Sequence, residues 1–188
     1  MQVTFTGSVD LDDIITVSAL KEYLRVDHSD EDSLITSFRA VAVNFVEDYT
    51  NTKLGSRTAT GYLDYFTNSV FPVAPVTSIT GVVYDDINGS EQNLAAGSYY
   101  FDKDSDPARI RFHNVPSLEE YALARVRITF TFGYTSTEVP PPIVQAVRML
   151  VAHYYENRAA VTQSGVIPRS LQLGVESLLS PYRSIRVV

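Results

Sequence analysis

The stretch from Asp30 to Thr50, DEDSLITSFRAVAVNFVEDYT, organises the rest of the chain. Its apolar residues recur at the spacing of one broad helical face, so the stretch predicts a long amphipathic helix. Ser29 or Asp30 can serve as its N-cap, and the helix is expected to end before Gly55. The apolar positions are Leu34, Ile35, Phe38, Val41, Ala42, Phe45, Val46 and Tyr49.

Three further helices are predicted around the long one, and together they should cover its wide apolar face. The first runs from Ser18, as its cap, to Val26. Pro140-Pro141-Pro142 supplies a rigid start for a second, which continues to about Arg158, because proline is tolerated in a first helical turn. A shorter third helix begins at Pro168 and ends at Ser180-Pro181.

Between residues 57 and 134 the apolar period changes from helical spacing to strict alternation, which is typical of β-strands. In the last strand the alternation puts Val126, Ile128, Phe130 and Phe132 on one face and Arg125, Arg127, Thr129 and Thr131 on the other. A small, mostly antiparallel sheet with one buried face is therefore predicted. The strands are expected at Thr58–Phe66, Ile79–Asp85, Tyr99–Asp102, Arg109–His113 and Ala124–Phe132.

These elements predict an α+β fold. Residues 1–56 and 135–181 form a helical bundle, residues 57–134 form an inserted antiparallel β domain, and residues 182–188 form an extended C-terminal tail. Within the first part, residues 1–17 are expected to be an extended arm.

Composition narrows the class of protein. The 188 residues carry a net charge of -7, which argues against a general nucleic-acid binder. With Cys 0 there is neither a disulfide framework nor a thiolate metal site. No apolar run approaches a membrane span, and the first ten residues lack the regions of a signal peptide, so we expect a soluble, intracellular protein without a membrane partner.

Catalytic and metal chemistry find little support in the residue pattern. His153 and Glu156 share a helix face, but one His and one carboxylate are too few ligands. The alternating run Asp102, Asp104, Asp106 lacks the central Gly and the closing Glu of a calcium loop. No nucleophile elbow or phosphate loop occurs. We therefore predict a protein that is not an enzyme and has no cofactor.

Two surface features are candidates for binding. Arg109 with Arg111, and Arg125 with Arg127, form a basic patch if their strands are adjacent. The favoured alternative is cross-strand pairing with carboxylates of the same sheet. The tail after Pro181 could add to a sheet edge on another protein, the alternative being a disordered end.

Four segments resemble the tailed-phage head–tail connector family, the adaptor proteins that dock under the portal. They are SALKEYLRVDHSDED from Ser18 to Asp32, VEDYTN from Val46 to Asn51, PPIVQAVRMLVAHYYENR from Pro141 to Arg158 and LLSPYR from Leu178 to Arg183. The resemblance covers both helical ends of the chain, whereas the β region matches only in kind.

The resemblance implies a dodecameric ring in the virion neck, formed after synthesis in the host cytoplasm. Such a ring binds the portal protein, extends the DNA channel without sequence-specific binding, and offers its far side to a stopper or tail-completion protein. In related adaptors the C-terminal segment docks onto the portal. That role is carried here to Tyr182, Arg183, Ile185, Arg186, Val187 and Val188.

A ring also requires a seam between subunits. We expect the long helix to bury Leu34, Phe38, Val41 and Phe45 within the chain, and to present its polar edge to a neighbour. The predicted seam residues are Arg39, Asn44, Glu47, Asp48 and Arg158. The alternatives are another neck or tail-completion protein, a small ligand-binding module using Tyr99, Tyr100 and Phe101, and a hydrolase using His153 and Glu156.

Overall fold

The computed structural model describes residues 1–6, 9–120, 122–135, 137–157 and 169–184 and has an α+β fold with antiparallel sheets. The chain divides into two compact units. The described part of the β unit comprises residues 1–6, 9 and 56–133 without 121, and that of the helical unit comprises residues 10–55, 134–135, 137–157 and 169–184. Among the described residues, no helix is long and apolar enough to cross a membrane.

The β unit contains two antiparallel sheets. Its strands are β1 (Gln2–Thr6), β2 (Arg57–Leu63), β3 (Ser69–Val70), β4 (Val76–Asp85), β5 (Glu91–Asn93), β6 (Tyr99–Asp102), β7 (Arg109–Phe112) and β8 (Val126–Phe132). One sheet has the order β1-β2-β8-β4-β5, and the other has the order β3-β7-β6. The prediction of a single sheet is wrong, because β3, β7 and β6 pair only with one another among the described strands.

The core of the β unit lies on one face of β8. Its alternation is confirmed, since Val126, Ile128, Phe130 and Phe132 are fully buried. The three-stranded sheet covers this face and contributes Ile110 from β7. The Phe71 ring lies 4.7 Å from that of Phe130, in the edge-to-face arrangement that aromatic rings favour.

The N-terminal arm belongs to the five-stranded sheet. β1 pairs with β2 antiparallel, with Gln2 opposite Tyr62 and Thr6 opposite Thr58. The predicted boundary grouped these residues with the helices, because the sequence pattern of a five-residue strand does not reveal its partner.

The helical unit is built around the long helix. Its helices are α1 (Val17–Leu24), α2 (Asp32–Thr50), α3 (Pro141–Glu156) and α4 (Arg169–Leu179). As expected, α2 packs against each of the other three. The fully buried side chains include Leu20 of α1, Ile35 of α2, Leu150 of α3 and Leu179 of α4.

The helix starts differ from those expected. The Thr16 hydroxyl, not that of Ser18, caps α1 by accepting the Ala19 N–H at 3.2 Å. α2 begins at Asp32, so the N-cap position is Glu31, whose side chain makes no cap hydrogen bond. The N-cap is therefore neither Ser29 nor Asp30. Sequence alone does not separate neighbouring Ser, Thr and Asp residues as caps, because all three suit that position.

Candidate assembly surfaces

Helix α2 presents a continuous exposed stripe. Ser33, Ser37, Val41, Asn44 and Asp48 are all exposed and recur every three or four residues, the spacing of one helical face. Val41 is 53% exposed, so the prediction that it is buried within the chain is wrong. The stripe carries the predicted seam residues Asn44 and Asp48 together with an apolar side chain at its centre.

Arg39 lies on the inner face of α2, where it is only 7% exposed. Its guanidinium pairs with the carboxylate of Asp12 and donates to the Ile15 carbonyl at 2.8 Å. It therefore joins α2 to the turn that precedes α1. The structure thus corrects the placement of Arg39 at a subunit seam, and the physical reason is its position four residues after the buried Ile35.

Glu47 is likewise an internal residue, 5% exposed. One carboxylate oxygen accepts the Leu54 N–H at 2.8 Å, and the other lies 2.9 Å from the Lys53 ammonium. Glu47 therefore holds the chain that leaves α2 and is not presented to a neighbour as predicted. Arg158, the last predicted seam residue, lies outside the described residues.

The root of the C-terminal segment is attached to the end of α2. Residues Ser180–Tyr182 form a 3-10 turn, so Tyr182 is not extended as predicted. Ser184 is buried; its N–H donates to the Thr50 carbonyl at 2.8 Å, and its own carbonyl accepts from the Asn51 amide at 3.3 Å. The Arg183 guanidinium lies 5.7 Å from the centre of the Tyr49 ring. The remaining tail residues predicted to dock are Ile185, Arg186, Val187 and Val188, which lie outside the described residues.

The predicted basic patch is not formed, because its two arginine pairs belong to different sheets. Arg109 and Arg111 lie on β7, whereas Arg127 lies on β8 and Arg125 directly precedes it. The exposed guanidinium of Arg109 pairs with Asp102 at 3.2 Å. Cross-strand pairing, the favoured alternative, therefore accounts for Arg109.

Arg127 ties three strands of the larger sheet together. Its two terminal nitrogens donate to the Asp85 carboxylate at 2.8 and 2.6 Å, and one of them also lies 2.9 Å from Glu91. Hydrogen bonding to Arg127 lowers the pKa of Asp85, and the same contact raises the pKa of Arg127. This bidentate geometry is the strong form of an Arg–carboxylate pair. Arg127 is thus engaged within the chain.

Arg125 occupies an unexpected position, 3% exposed, beneath the ring of Tyr65, whose centre lies 4.3 Å from the guanidinium carbon. The alternation predicted an outward side chain. It fails because Ala124 has a positive φ of 56°, so the regular strand begins only at Val126 and both Arg125 and Val126 are buried. Neither the positive φ nor the ring contact has a signal in the local sequence.

A surface groove passes over Arg125, with a volume of about 580 Å³. Five of its seven lining residues have aromatic or aliphatic side chains, and two of these, Tyr65 and Val115, are exposed. Its lining residues are Tyr65, Phe66, Val115, Pro116, Leu118, Glu120 and Arg125.

Several of the residues considered for ligand or acid–base chemistry make contacts within the chain. The His153 ring lies 3.1 Å from the Asn157 amide. Burial acts to raise the pKa of Asp102, but hydrogen bonds from Ser105 and Arg109 outweigh it and leave that pKa lowered. Within the described ranges, no three His, Asp or Glu side chains are grouped so as to hold a metal ion. Of the aromatic trio proposed for ligand binding, Tyr99 and Phe101 pack against the β core, whereas Tyr100 is exposed and stacks on His113.

The α+β fold carries two exposed surfaces, the stripe of α2 and the groove over Arg125, that suit contacts between protein subunits. The chain belongs to the head completion protein family, whose model matches residues 13–181. This membership confirms the resemblance to head–tail connector proteins and agrees with a structural, non-enzymatic role. A comparison with curated proteins gives no match.

Solved structures similar to this chain come from gene transfer agent particles. One is the neck of an empty particle computed with C6 symmetry, with a TM-score of 0.76 and 26% identity, covering 100% of this chain and 98% of that one. Another is the virion of the native particle, with a TM-score of 0.75 and 26% identity over the same shares. The neck of the native particle computed with C12 symmetry shares the fold, with a TM-score of 0.72, 24% identity and the same coverage.

Proposed function

We propose that this chain is the head–tail connector protein of a phage-like particle, located in the virion neck. In this proposal copies assemble as a dodecameric ring beneath the portal protein, continue the DNA channel and provide the docking surface for a stopper or tail. The observation that carries it is the match to a neck protein over 100% of this chain and 98% of that chain, together with membership in the head completion family.

The ring is supported by the symmetry of the neck structures, computed as C6 and C12, and by the exposed stripe of α2. A head-to-tail contact between two different patches closes into a ring when its rotation permits. The building block is a helical bundle interrupted by the β domain. We assign the seam to the stripe around Val41, Asn44 and Asp48, because Arg39 and Glu47 are committed within the chain.

Passage of DNA without binding follows from charge. The chain carries a net charge of -7, and Arg109 and Arg127 are already paired with carboxylates. A channel wall of this kind does not neutralise successive phosphates, so the duplex can slide along it.

Portal docking is assigned to the C-terminal segment. Its root is fixed to the end of α2 by the Ser184–Thr50 hydrogen bond. Tyr182 and Arg183 belong to this root, and residues 185–188 are the docking part.

The test is to produce particles with and without this protein and to examine them by electron microscopy. Without it, we expect heads and tails that remain separate, with joining restored when the protein is supplied. Reconstruction of the complemented neck should place a ring of this chain against the portal. Joined particles in its absence would contradict the proposal, and a position elsewhere in the neck would favour the alternative, a different neck or tail-completion protein.

A further inference from the structure

We propose that the groove over Arg125 receives the Glu22–Tyr23 corner of helix α1 from a neighbouring copy of this chain. The contact rests on the ring assembly proposed above and specifies one of its subunit interfaces. This surface, the Arg125 groove, is lined by Tyr65, Phe66, Val115, Pro116, Leu118, Glu120 and Arg125.

The rim of the Arg125 groove exposes large apolar side chains. Tyr65 is 61% exposed and Val115 41%. Leu123 is 82% exposed, and the next residue, Ala124, donates its N–H at 2.8 Å to the side chain of Asp64, the residue before Tyr65. Several large apolar side chains exposed together mark an interaction site.

The floor of the groove holds a positive charge without an anion. Among the described residues, the Arg125 guanidinium has only the Tyr65 ring as a partner, and its Nε is buried without a hydrogen bond. A buried guanidinium is stable in a protein when a carboxylate and further acceptors satisfy it. Glu120 lines the same groove but makes no ion pair with Arg125. The groove therefore fits a carboxylate that arrives beside an apolar side chain.

A second copy of the chain offers that combination on α1. In the helical unit, the exposed apolar residue Tyr23 is adjacent to the exposed residue Glu22. The Glu22 carboxylate makes no ion pair or hydrogen bond with any residue that the structure describes. Val41 is flanked on its helical face by the uncharged Ser37 and Asn44.

The other places where a carboxylate accompanies an exposed apolar residue are already satisfied. Glu176, near Leu173, accepts from Gln172 at 2.8 Å. Asp86, beside Ile87, accepts the N–H groups of the turn that follows it.

Charge complementarity favours the same occupant. Residues 10–32 contain eight carboxylates and two basic side chains, so α1 and its flanks form the acidic part of each copy. Such segments repel one another unless they meet a positive partner, and Arg125 supplies one on every subunit. Because the groove and the acidic corner are different patches, their pairing repeats head to tail around a ring.

A cross-linking experiment tests the contact directly, because the natural chain has Cys 0. Ser18→Cys places a thiol one helical turn from Glu22, and Leu123→Cys places one at an exposed position two residues before Arg125. The double variant, treated with a short bismaleimide, is expected to give a ladder of covalent multimers on a denaturing gel. The matched control replaces Leu123→Cys with Phe5→Cys, which is 54% exposed beside Phe132, at the opposite end of β8 from Arg125, and should give no ladder.

Charge variants made in the cross-linking pair then test the chemistry. Arg125→Met keeps the bulk but removes the charge, so the yield of ladder should fall about tenfold or more, as expected when one partner of a desolvated charge pair is lost. Glu22→Gln should have the same effect. Glu120→Gln should increase the yield, because it removes a like charge from the groove. Thermal unfolding of Arg125→Met should be unchanged or occur at a higher temperature, which separates lost contact from lost fold.

The outcomes distinguish this contact from the ring itself. If native mass spectrometry shows rings while the double variant gives no ladder, or if the ladder persists in Arg125→Met, the contact is overturned and the ring stands. A chain that stays monomeric at every concentration and is absent from the particle neck contradicts both.

Discussion

The backbone N–H of Ser184 donates to the carbonyl of Thr50 at 2.8 Å, so the end of the described chain closes the C-terminal end of helix α2. The last carbonyls of a helix lack partners within it, and Asn51, in the left-handed conformation with φ 53°, ends the helix at that point. The bond therefore couples the segment assigned to portal docking with the central helix of the unit.

This coupling predicts that two truncations differ. Deleting residues 185–188 should leave the free energy of unfolding unchanged and abolish co-sedimentation with portal. Deleting residues 182–188 should in addition lower that free energy by about 2 kcal/mol, because the hydrogen bonds of Ser184 and the packing of Tyr182 are lost. Urea unfolding and co-sedimentation measure the two effects. Equal portal binding by the shorter truncation and the intact chain would refute the docking role.

Arg39 provides a second prediction. Arg39→Ala should destabilise the protein by about 3 kcal/mol, because the Ile15 carbonyl loses its charged donor and Asp12 loses its counter-ion. Asn44→Ala, on the exposed face of the same helix, is the control and should change stability by less than about 0.5 kcal/mol. Denaturant melts of both variants test this, and similar destabilisation by the two would contradict an internal role for Arg39.

The exposed stripe of α2 predicts a separation of assembly from folding. Val41→Asp places a charge on a face that is solvated in the monomer, so stability should stay within about 0.5 kcal/mol while ring formation is lost. Leu173→Asp is the matched control, since Leu173 is 59% exposed on α4. Native mass spectrometry reports the oligomer, and rings that persist in Val41→Asp would exclude this stripe from the seam.

The Asp85–Arg127 pair predicts a component of acid sensitivity. The folded-state pKa of Asp85 lies below its usual value of 3.8, so the pair stabilises the protein above that pH, and the stabilisation is lost as the pH falls through the lowered pKa. Asp85→Asn should reduce stability at pH 7 by on the order of 1 kcal/mol, since the pair is only partly exposed, and should flatten the decline below about pH 4. An unchanged acid profile in urea melts from pH 7 to 2 would contradict this assignment.

Local pattern is a good guide to the elements of this protein. The helical spacing of residues 30–50, the proline start at Pro141 and the alternation of Val126 to Phe132 each correspond to an observed element. These signals are local, because the side chains that face the core recur at the period of the helix or the strand that carries them.

The same pattern misplaced individual polar residues. Arg39 and Glu47 look like an exposed polar edge on a helical wheel, yet they are buried because Asp12 and Lys53, which both lie outside this helix, supply opposite charges. A polar side chain is buried where another group forms a hydrogen bond or ion pair with it. The tertiary fold decides which group that is.

Sequence by itself determined the α+β class, the order of the four helices and of strands β2, β4, β6, β7 and β8, and, through the motifs at both helical ends, the connector-type family. Only the tertiary structure decided that the β region has two sheets, that β1 joins the larger one, and that Arg125 lies on the floor of a groove. The physical reason is range: periodicity and turn chemistry act over a few residues, whereas strand pairing and the burial of a charge depend on residues brought together from far along the chain.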